Sequence, residues 1–85
     1  MQYLTRHLLG RFNKSWWLEI STFTPEALSP DCNYYFGPFK SKNEALHNQS
    51  GYVEDLEHEG SKVSYISIVH RTTPRQLTLE YPKLA

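Results

Sequence analysis

The sequence predicts one small α+β domain, in which an antiparallel sheet of about four strands packs against a central helix. Four segments are rich in β-branched and aromatic residues and alternate between two faces, as half-buried strands do. A segment between the second and third of these begins with a helix-start signature. The chain has 85 residues, a length that allows one domain. We divide it into an N-terminal amphipathic segment, residues 1–14, and the domain, residues 15–85.

The N-terminal segment is predicted to form a short amphipathic helix. Its large apolar residues recur at helical spacing, whereas Arg6 and Arg11 lie off that line. A helix this short is marginal by itself, so its apolar face must dock on its own domain or on a partner. Weak contact with a membrane surface is a further alternative. The candidate partner-binding residues of this segment are Leu4, Leu8, Leu9 and Phe12.

The first two strands are predicted over Ser15–Phe23 and Asn33–Phe36. Alternation places successive side chains of each strand on opposite faces of the sheet. The intervening stretch, residues 24–32, contains two prolines and is expected to be a loop. The dipeptide Gly37-Pro38 is expected to end the second strand.

A capping box predicts the start of the central helix, with serine at position 41 and glutamate three residues later. Gly60 is a natural residue for the position after the helix. Gly51 lies inside the helical pattern and leaves two alternatives, one helix with a weak point or two short helices broken at Ser50-Gly51. The predicted apolar face of this helix consists of Ala45, Leu46, Tyr52, Val53 and Leu56.

The last two strands are predicted over Lys62–Arg71 and Gln76–Tyr81, joined by a turn at Thr72-Thr73-Pro74. The first of them is the strongest strand pattern in the chain because β-branched residues dominate it. The complete order is helix, two strands, helix, two strands. Strands that surround a central helix in this way favour an antiparallel sheet with the helix across one face.

Charge and cysteine content limit the possible functions. The net charge is zero, which argues against a dedicated nucleic-acid binder. The charged residues of segment 1–18 are basic, whereas those of segment 45–60 are acidic. Such a charge asymmetry along the chain can orient a partner. Cys32 is the only cysteine, which fits a reducing compartment. Because no apolar run is long enough to span a membrane and no signal core is present, we expect a cytoplasmic protein.

No residue pattern indicates catalysis, a metal site or a cofactor. The four histidines contain no pair at the spacing that places two ligands on one helix face. The acidic residues after position 53 lack the spacing of a calcium loop, and Cys32 has no basic neighbour to activate it. Neither a phosphate-binding glycine loop nor a serine nucleophile elbow occurs. We therefore expect a protein that is not an enzyme and that binds no metal or cofactor.

The aromatic residues favour a binding function. Trp16 and Trp17 must point to opposite faces of the first strand, and the adjacent tyrosines of the second strand repeat this arrangement. If the strands pair, one Trp and one Tyr lie together on the outer face. Either the N-terminal helix covers this face or a partner does. Tryptophan, tyrosine and arginine are enriched at interface hot spots, so the second alternative adds Trp17, Tyr35 and Arg71 to the predicted partner-binding residues.

Two other kinds of partner are compatible with these rings. An RNA- or DNA-binding regulator would stack bases on them beside Arg71 and Arg75, although the zero net charge makes nucleic acid the weaker alternative. Self-association as a homodimer is also expected, because exposed rings and sheet edges can pair.

Three stretches of the sequence carry a family resemblance. They read Trp-Trp-Leu-Glu-Ile at 16–20, Cys-Asn-Tyr-Tyr-Phe-Gly-Pro-Phe at 32–39 and Gly-Tyr-Val-Glu-Asp-Leu at 51–56. Together they resemble the DUF1816 family of small cyanobacterial proteins of unknown function. The resemblance implies a cyanobacterial cytosolic setting, in which a link to the photosynthetic apparatus rests on that setting alone, and it assigns no functional residues. We expect a non-catalytic protein-interaction module or a small accessory or regulatory protein.

Overall fold

The computed structural model describes residues 13–24 and 26–80, which form four strands and one helix. The sheet has the strand order β3-β1-β2-β4, and each neighbouring pair is antiparallel. The predicted α+β class is therefore confirmed, and the predicted N-terminal helix lies outside these residues. No helix within them is long and apolar enough to cross a membrane. The elements are β1 (Ser15–Phe23), β2 (Cys32–Phe39), α1 (Lys42–His58), β3 (Lys62–Arg71) and β4 (Thr78–Glu80).

The central strand β1 divides the side chains between two faces of the sheet. On the inner face, which α1 covers, Leu18 and Ile20 are fully buried. Leu18 lies opposite Phe36 of β2 and Ile68 of β3. The core of the domain is built on this face from Leu18, Phe39 and Ala45, with Trp16, Phe36, Tyr52, Ile66 and Ile68 packed against them.

Helix α1 is continuous through Gly51, which decides between the two alternatives left by the sequence. Its start is the predicted capping box. The Ser41 hydroxyl oxygen accepts a hydrogen bond from the Glu44 backbone N–H at 3.1 Å. The Glu44 carboxylate accepts one from the Lys40 backbone N–H at 3.2 Å, one residue before the usual partner. These bonds satisfy amide groups that the helix itself leaves unpaired.

The end of α1 is a Schellman motif, as Gly60 predicts. Gly60 has a φ of 95°, in the region that glycine adopts without a steric cost. Its N–H donates to the Glu57 carbonyl at 3.0 Å, and the Ser61 N–H donates to the Leu56 carbonyl at 3.0 Å. This pair of bonds satisfies the last carbonyls of the helix and turns the chain into β3.

The predicted apolar face of α1 is wrong at one residue. Ala45 and Leu56 are buried, but Leu46 is 56% exposed. Successive helical residues are about 100° apart, and the side that meets the sheet is centred on Ala45, Tyr52 and Leu56. Leu46 therefore points past the sheet into solvent.

Replacing Ser41 with alanine is expected to lower the free energy of unfolding by about 1 kcal/mol, because the Glu44 N–H loses its acceptor at the helix start. Urea denaturation followed by circular dichroism measures this change. Ser50→Ala is the matched control, since Ser50 is an exposed residue inside the same helix and alanine has the higher helix propensity. An equal loss of stability in both variants would show that the cap contributes nothing of its own.

The second strand is longer than predicted, because Gly37-Pro38 does not end it. Strand β2 continues to Phe39, and the Gly37-Pro38 peptide bond is cis. The register shifts here, since Trp16 pairs with Phe39 whereas Leu18 pairs with Phe36. Two residues of β2 thus oppose Trp17 alone, which is a β-bulge. Proline is tolerated in a sheet at such a position because no ladder hydrogen bond from its nitrogen is needed.

The last strand is shorter than predicted, with three residues in β4. The segment before it is still tied to the sheet, because the Tyr35 N–H donates to the Leu77 carbonyl at 2.7 Å. Strand β3 has the predicted bounds and carries a bulge of its own. Tyr65 pairs with Ser21 and Val63 with Thr22, so Ser64 is the extra residue. Its hydroxyl donates to the Ser21 carbonyl at 3.1 Å.

Candidate functional site

The outer face of the sheet, turned away from α1, carries a three-residue cluster formed by Glu19, Tyr35 and Arg71. The Tyr35 hydroxyl donates a hydrogen bond to the Glu19 carboxylate at 2.7 Å. It accepts one from the Arg71 guanidinium at 3.2 Å. The guanidinium carbon also lies 5.0 Å from the centre of the Tyr35 ring, within the range of a cation–π contact. We call this arrangement the Tyr35–Arg71 cluster.

The cluster joins three strands. Glu19 lies on β1 directly opposite Tyr35 of β2, whereas Arg71 comes from the end of β3. Since β1 lies between β2 and β3, the side chains of Tyr35 and Arg71 meet above β1. Arg71 is held further by a hydrogen bond from its Nε to the Thr72 carbonyl at 3.1 Å. These contacts direct the guanidinium toward the Tyr35 ring.

Beside the cluster lies a groove of about 600 Å³. Its charged lining residues are Arg71 and Arg75, and neither forms an ion pair with a carboxylate in the part of the chain that the structure describes. Leu79, on the short edge strand β4, adds an apolar wall and is 38% exposed. We call this the Arg71–Arg75 groove; its lining residues are Tyr35, Arg71, Pro74, Arg75, Gln76 and Leu79.

The structure places Trp17 on the outer face, as predicted, but does not expose it. Trp17 is 2% exposed, and its ring lies against Gly37, where an added Cβ would stand 2.9 Å from the ring atom Cε3. The indole N–H is buried and has no hydrogen-bond acceptor among residues 13–24 and 26–80. Trp17 is thus the buried member of the tryptophan pair, and its role in partner binding stays a prediction.

Trp16 lies on the inner face and is half-buried. Its ring stacks on His70, with 4.7 Å between the ring centres and 21° between the planes. The two adjacent tryptophans thus have different structural roles, Trp16 at the rim of the core and Trp17 under the outer face. The other predicted partner-binding residues, Leu4, Leu8, Leu9 and Phe12, lie outside the described residues, so the N-terminal surface stays a prediction.

A second cavity, of about 500 Å³, lies at the opposite end of the sheet and is lined by Cys32, Tyr34 and Glu59, among others. A hydrogen bond with the Cys32 side chain raises the pKa of Tyr34 above its ordinary value, and burial raises it further. The negative charge of Glu59 acts in the same direction, whereas a hydrogen bond with Ser61 lowers the pKa. Tyr34 is therefore a protonated hydrogen-bonding group at neutral pH.

Within residues 13–24 and 26–80, no three His, Cys, Asp or Glu side chains come together to form a possible metal site. Cys32 is a free, partly buried cysteine. The outer face carries two arginines that form no ion pair with a carboxylate of the described residues, beside an aromatic ring and an exposed leucine, and it is the better candidate for a binding site.

The sequence alone did not identify Glu19 or Leu79 as members of a site. The alternation of side chains along β1 places Glu19 on the same face as Trp17, and this could be predicted from the sequence. Its pairing with Tyr35 depends on the register between β1 and β2, which the residue pattern does not contain. Leu79 reaches the groove only because β4 joins the sheet beside β2 rather than beside β3, the strand that precedes it.

Residues 9–79 match a protein-family model described as a domain of unknown function, DUF1816. This range includes every residue of the Tyr35–Arg71 cluster and of the Arg71–Arg75 groove. No curated protein and no solved structure matches the chain.

Proposed function

The chain belongs to the DUF1816 family, and we propose that this member is a non-catalytic module that binds a protein partner on the outer face of its sheet. The proposed setting is the cytoplasm of a cyanobacterium, near the photosynthetic apparatus, and it rests on the family resemblance alone. The proposed contact is the Arg71–Arg75 groove together with the Tyr35 ring.

The observation that carries the proposal is the environment of the two arginines. Both lack a carboxylate partner among the described residues, and they line a groove with Tyr35 and Leu79. Arginine and tyrosine beside an apolar wall are the residues that contribute most at protein interfaces. Because Arg71 is already held by Tyr35 and Thr72, it loses little conformational freedom on binding, which favours affinity.

The charge of the groove indicates a partner segment that carries carboxylates. A guanidinium binds a carboxylate through two parallel hydrogen bonds, which gives both strength and direction. Arg71 uses its Nε and one Nη1 hydrogen within the described residues, so Nη2 keeps both of its hydrogens for such a contact. Leu79, which is 38% exposed, would then contact an apolar side chain of the same segment.

A single-stranded nucleic acid would use the same arginines, but it would also need aromatic rings open to its bases. Trp17 is 2% exposed, and Tyr35 is already contacted by the Arg71 guanidinium. These two facts favour the protein partner. The nucleic-acid alternative is tested directly by salt-dependent binding to a random single-stranded oligonucleotide.

The test is an affinity capture from the native host, with the wild-type chain and two charge-matched variants as bait. Arg71→Ala with Arg75→Ala removes two positive charges from the groove. Lys42→Ala with Lys62→Ala removes two exposed positive charges from positions that do not line it. We expect the same protein to be enriched by the wild type and the lysine variant, and to be reduced about tenfold or more by the arginine variant.

Circular dichroism of each bait separates lost binding from lost folding. The proposal fails if no protein is enriched at native abundance, or if the arginine variant captures the partner as well as the wild type does. Oligonucleotide binding that weakens steeply with salt and disappears in the arginine variant would instead support the nucleic-acid regulator.

A further inference from the structure

The two edges of the sheet are protected very differently. At one edge, β4 has three residues and includes Glu80, which limits pairing with another chain. At the other edge, β3 has ten residues. It pairs with β1 along one side, and no strand of residues 13–24 or 26–80 pairs with its other side. The backbone N–H and C=O groups on that side are directed outward and are available to a further strand.

The first part of β3 carries features that hinder pairing with another strand, whereas the rest of β3 does not. The bulge at Ser64 and the charge of Lys62 disturb the first part of the edge, as natural edges commonly do. From Tyr65 to Arg71 the register with β1 is regular. Between Tyr65 and His70 there is no proline, aspartate, glutamate, lysine or arginine, so the features that usually prevent edge pairing are missing.

We propose that a second copy of this chain pairs with β3 in antiparallel orientation, over Tyr65–Arg71. The two four-stranded sheets would then form one continuous sheet around a two-fold axis, with both helices on the same face. This inference concerns the sheet edge and does not rest on the proposed function of the outer face. A second copy is the proposed partner of this edge, because the regular segment can pair with the same segment of another chain that runs in the opposite direction.

The register follows from the symmetry of the regular segment. Its midpoint is Ile68, so the two-fold axis passes there and Ile68 faces its own equivalent. Residues opposite each other in an antiparallel pair share a face of the sheet. Ile66 therefore lies opposite His70 on the inner face, and Ser67 opposite Val69 on the outer face. Tyr65, which is 54% exposed, lies opposite Arg71 of the second copy, and this pair occurs twice.

Other registers fit the segment less well. Moving the axis toward the start of β3 brings the bulge at Ser64 into the interface and shortens the regular pairing. An axis between two residues is excluded, because residues opposite each other share a face of the sheet, whereas neighbours such as Ile66 and Ser67 point to opposite faces. The register centred on Ile68 uses all of the regular segment and sets no like charges opposite each other.

The pair Tyr65→Lys and Tyr65→Glu tests both the dimer and its register. Position 65 is exposed, so each variant should fold, which circular dichroism checks. Analytical ultracentrifugation of the full chain over a range of concentrations should show wild-type protein passing from a 10.0 kDa monomer to a dimer. Tyr65→Lys should weaken the dimer, because it brings a second positive charge to the strand position opposite Arg71 in both copies, whereas Tyr65→Glu should weaken it less.

Hydrogen exchange identifies the paired segment independently of mass. Amides of β3 between Tyr65 and Arg71 should become protected as the concentration rises, while those of β4 should not change. A wild-type chain that is monomeric throughout would overturn the proposal, and so would a dimer without added protection in β3. Equal effects of Tyr65→Lys and Tyr65→Glu would overturn the register. Loss of the groove function in the capture experiment leaves these results unchanged, so the two proposals fail separately.

Discussion

Replacing Gly37 with alanine is expected to lower the free energy of unfolding by roughly 2 to 6 kcal/mol. Gly37 has a φ of 146°, which residues with a side chain rarely adopt, and such strain costs about 1 to 3 kcal/mol. The added Cβ would also stand 2.9 Å from Trp17 Cε3 and 3.0 Å from the Trp16 carbonyl oxygen. Overpacking of this kind costs about 1 to 3 kcal/mol more.

Neither neighbour of Gly37 can move easily. The Trp16 carbonyl belongs to the central strand, and the Trp17 ring is 2% exposed and closely packed. Since a small domain has a stability near the lower end of about 5 to 15 kcal/mol, this single methyl group removes a large share of it. The variant should be partly unfolded at temperatures at which the wild type is fully folded.

Gly51→Ala is the matched control, because it makes the same chemical change in the middle of α1. Apart from its chain neighbours and the nearby helix backbone, no atom of the described residues lies within 4 Å of a Cβ placed at Gly51, and alanine is the better helix former. We expect this variant to be more stable than the wild type by about 0.4 to 1 kcal/mol. Urea denaturation followed by tryptophan fluorescence and circular dichroism compares the two. Effects of the same sign at both glycines would contradict the packing argument at Gly37.

The second large effect is expected at Leu18, in the centre of the inner face. Leu18 is 0% exposed and packs in the core with Phe39 and Ala45. Leu18→Ala should lower the free energy of unfolding by about 2 to 5 kcal/mol, because it removes buried methyl groups and leaves a cavity that the surrounding strands cannot close. Thermal and urea denaturation both measure this loss.

Leu28→Ala serves as the control for Leu18→Ala, since Leu28 is 104% exposed in the loop between β1 and β2. The same change there should alter the stability by no more than about 0.5 kcal/mol. If both leucine variants lost similar amounts of stability, the burial of Leu18 would not be the cause, and the core would have to be assigned elsewhere.

The elements that the sequence predicted well are those that local patterns determine. The bounds of β1 and β3 agree with the structure because each is a long run of β-branched and aromatic residues. The start and end of α1 agree because Ser41 and Gly60 act through hydrogen bonds to residues within a few positions. These interactions require no knowledge of the rest of the fold.

What the sequence did not predict depends on the pairing of distant segments. Gly37-Pro38 resembles a strand end, and only the approach of β1 makes it a bulge inside a strand. Trp17 lies against Gly37 in this bulge and is buried, whereas the sequence left open which of the two tryptophans is buried. The contact between Tyr35 and Arg71 was not predicted, because it crosses β1 and requires the strand order and the register of both pairs.

The position of β1 has a consequence for how the chain reaches this structure. β1 is the first strand of the sheet to be synthesised, yet both strands that flank it come later, and Ser64 contacts Ser21 across 43 positions. Contacts so distant must close a long loop before they contribute to stability, which slows folding relative to a helical domain of the same size. While the chain leaves the ribosome, the side of β1 reserved for β3 remains open until the whole of α1 has been made. A hydrophobic strand is thus exposed during synthesis, and this interval is when the protein is most prone to pair with another nascent chain.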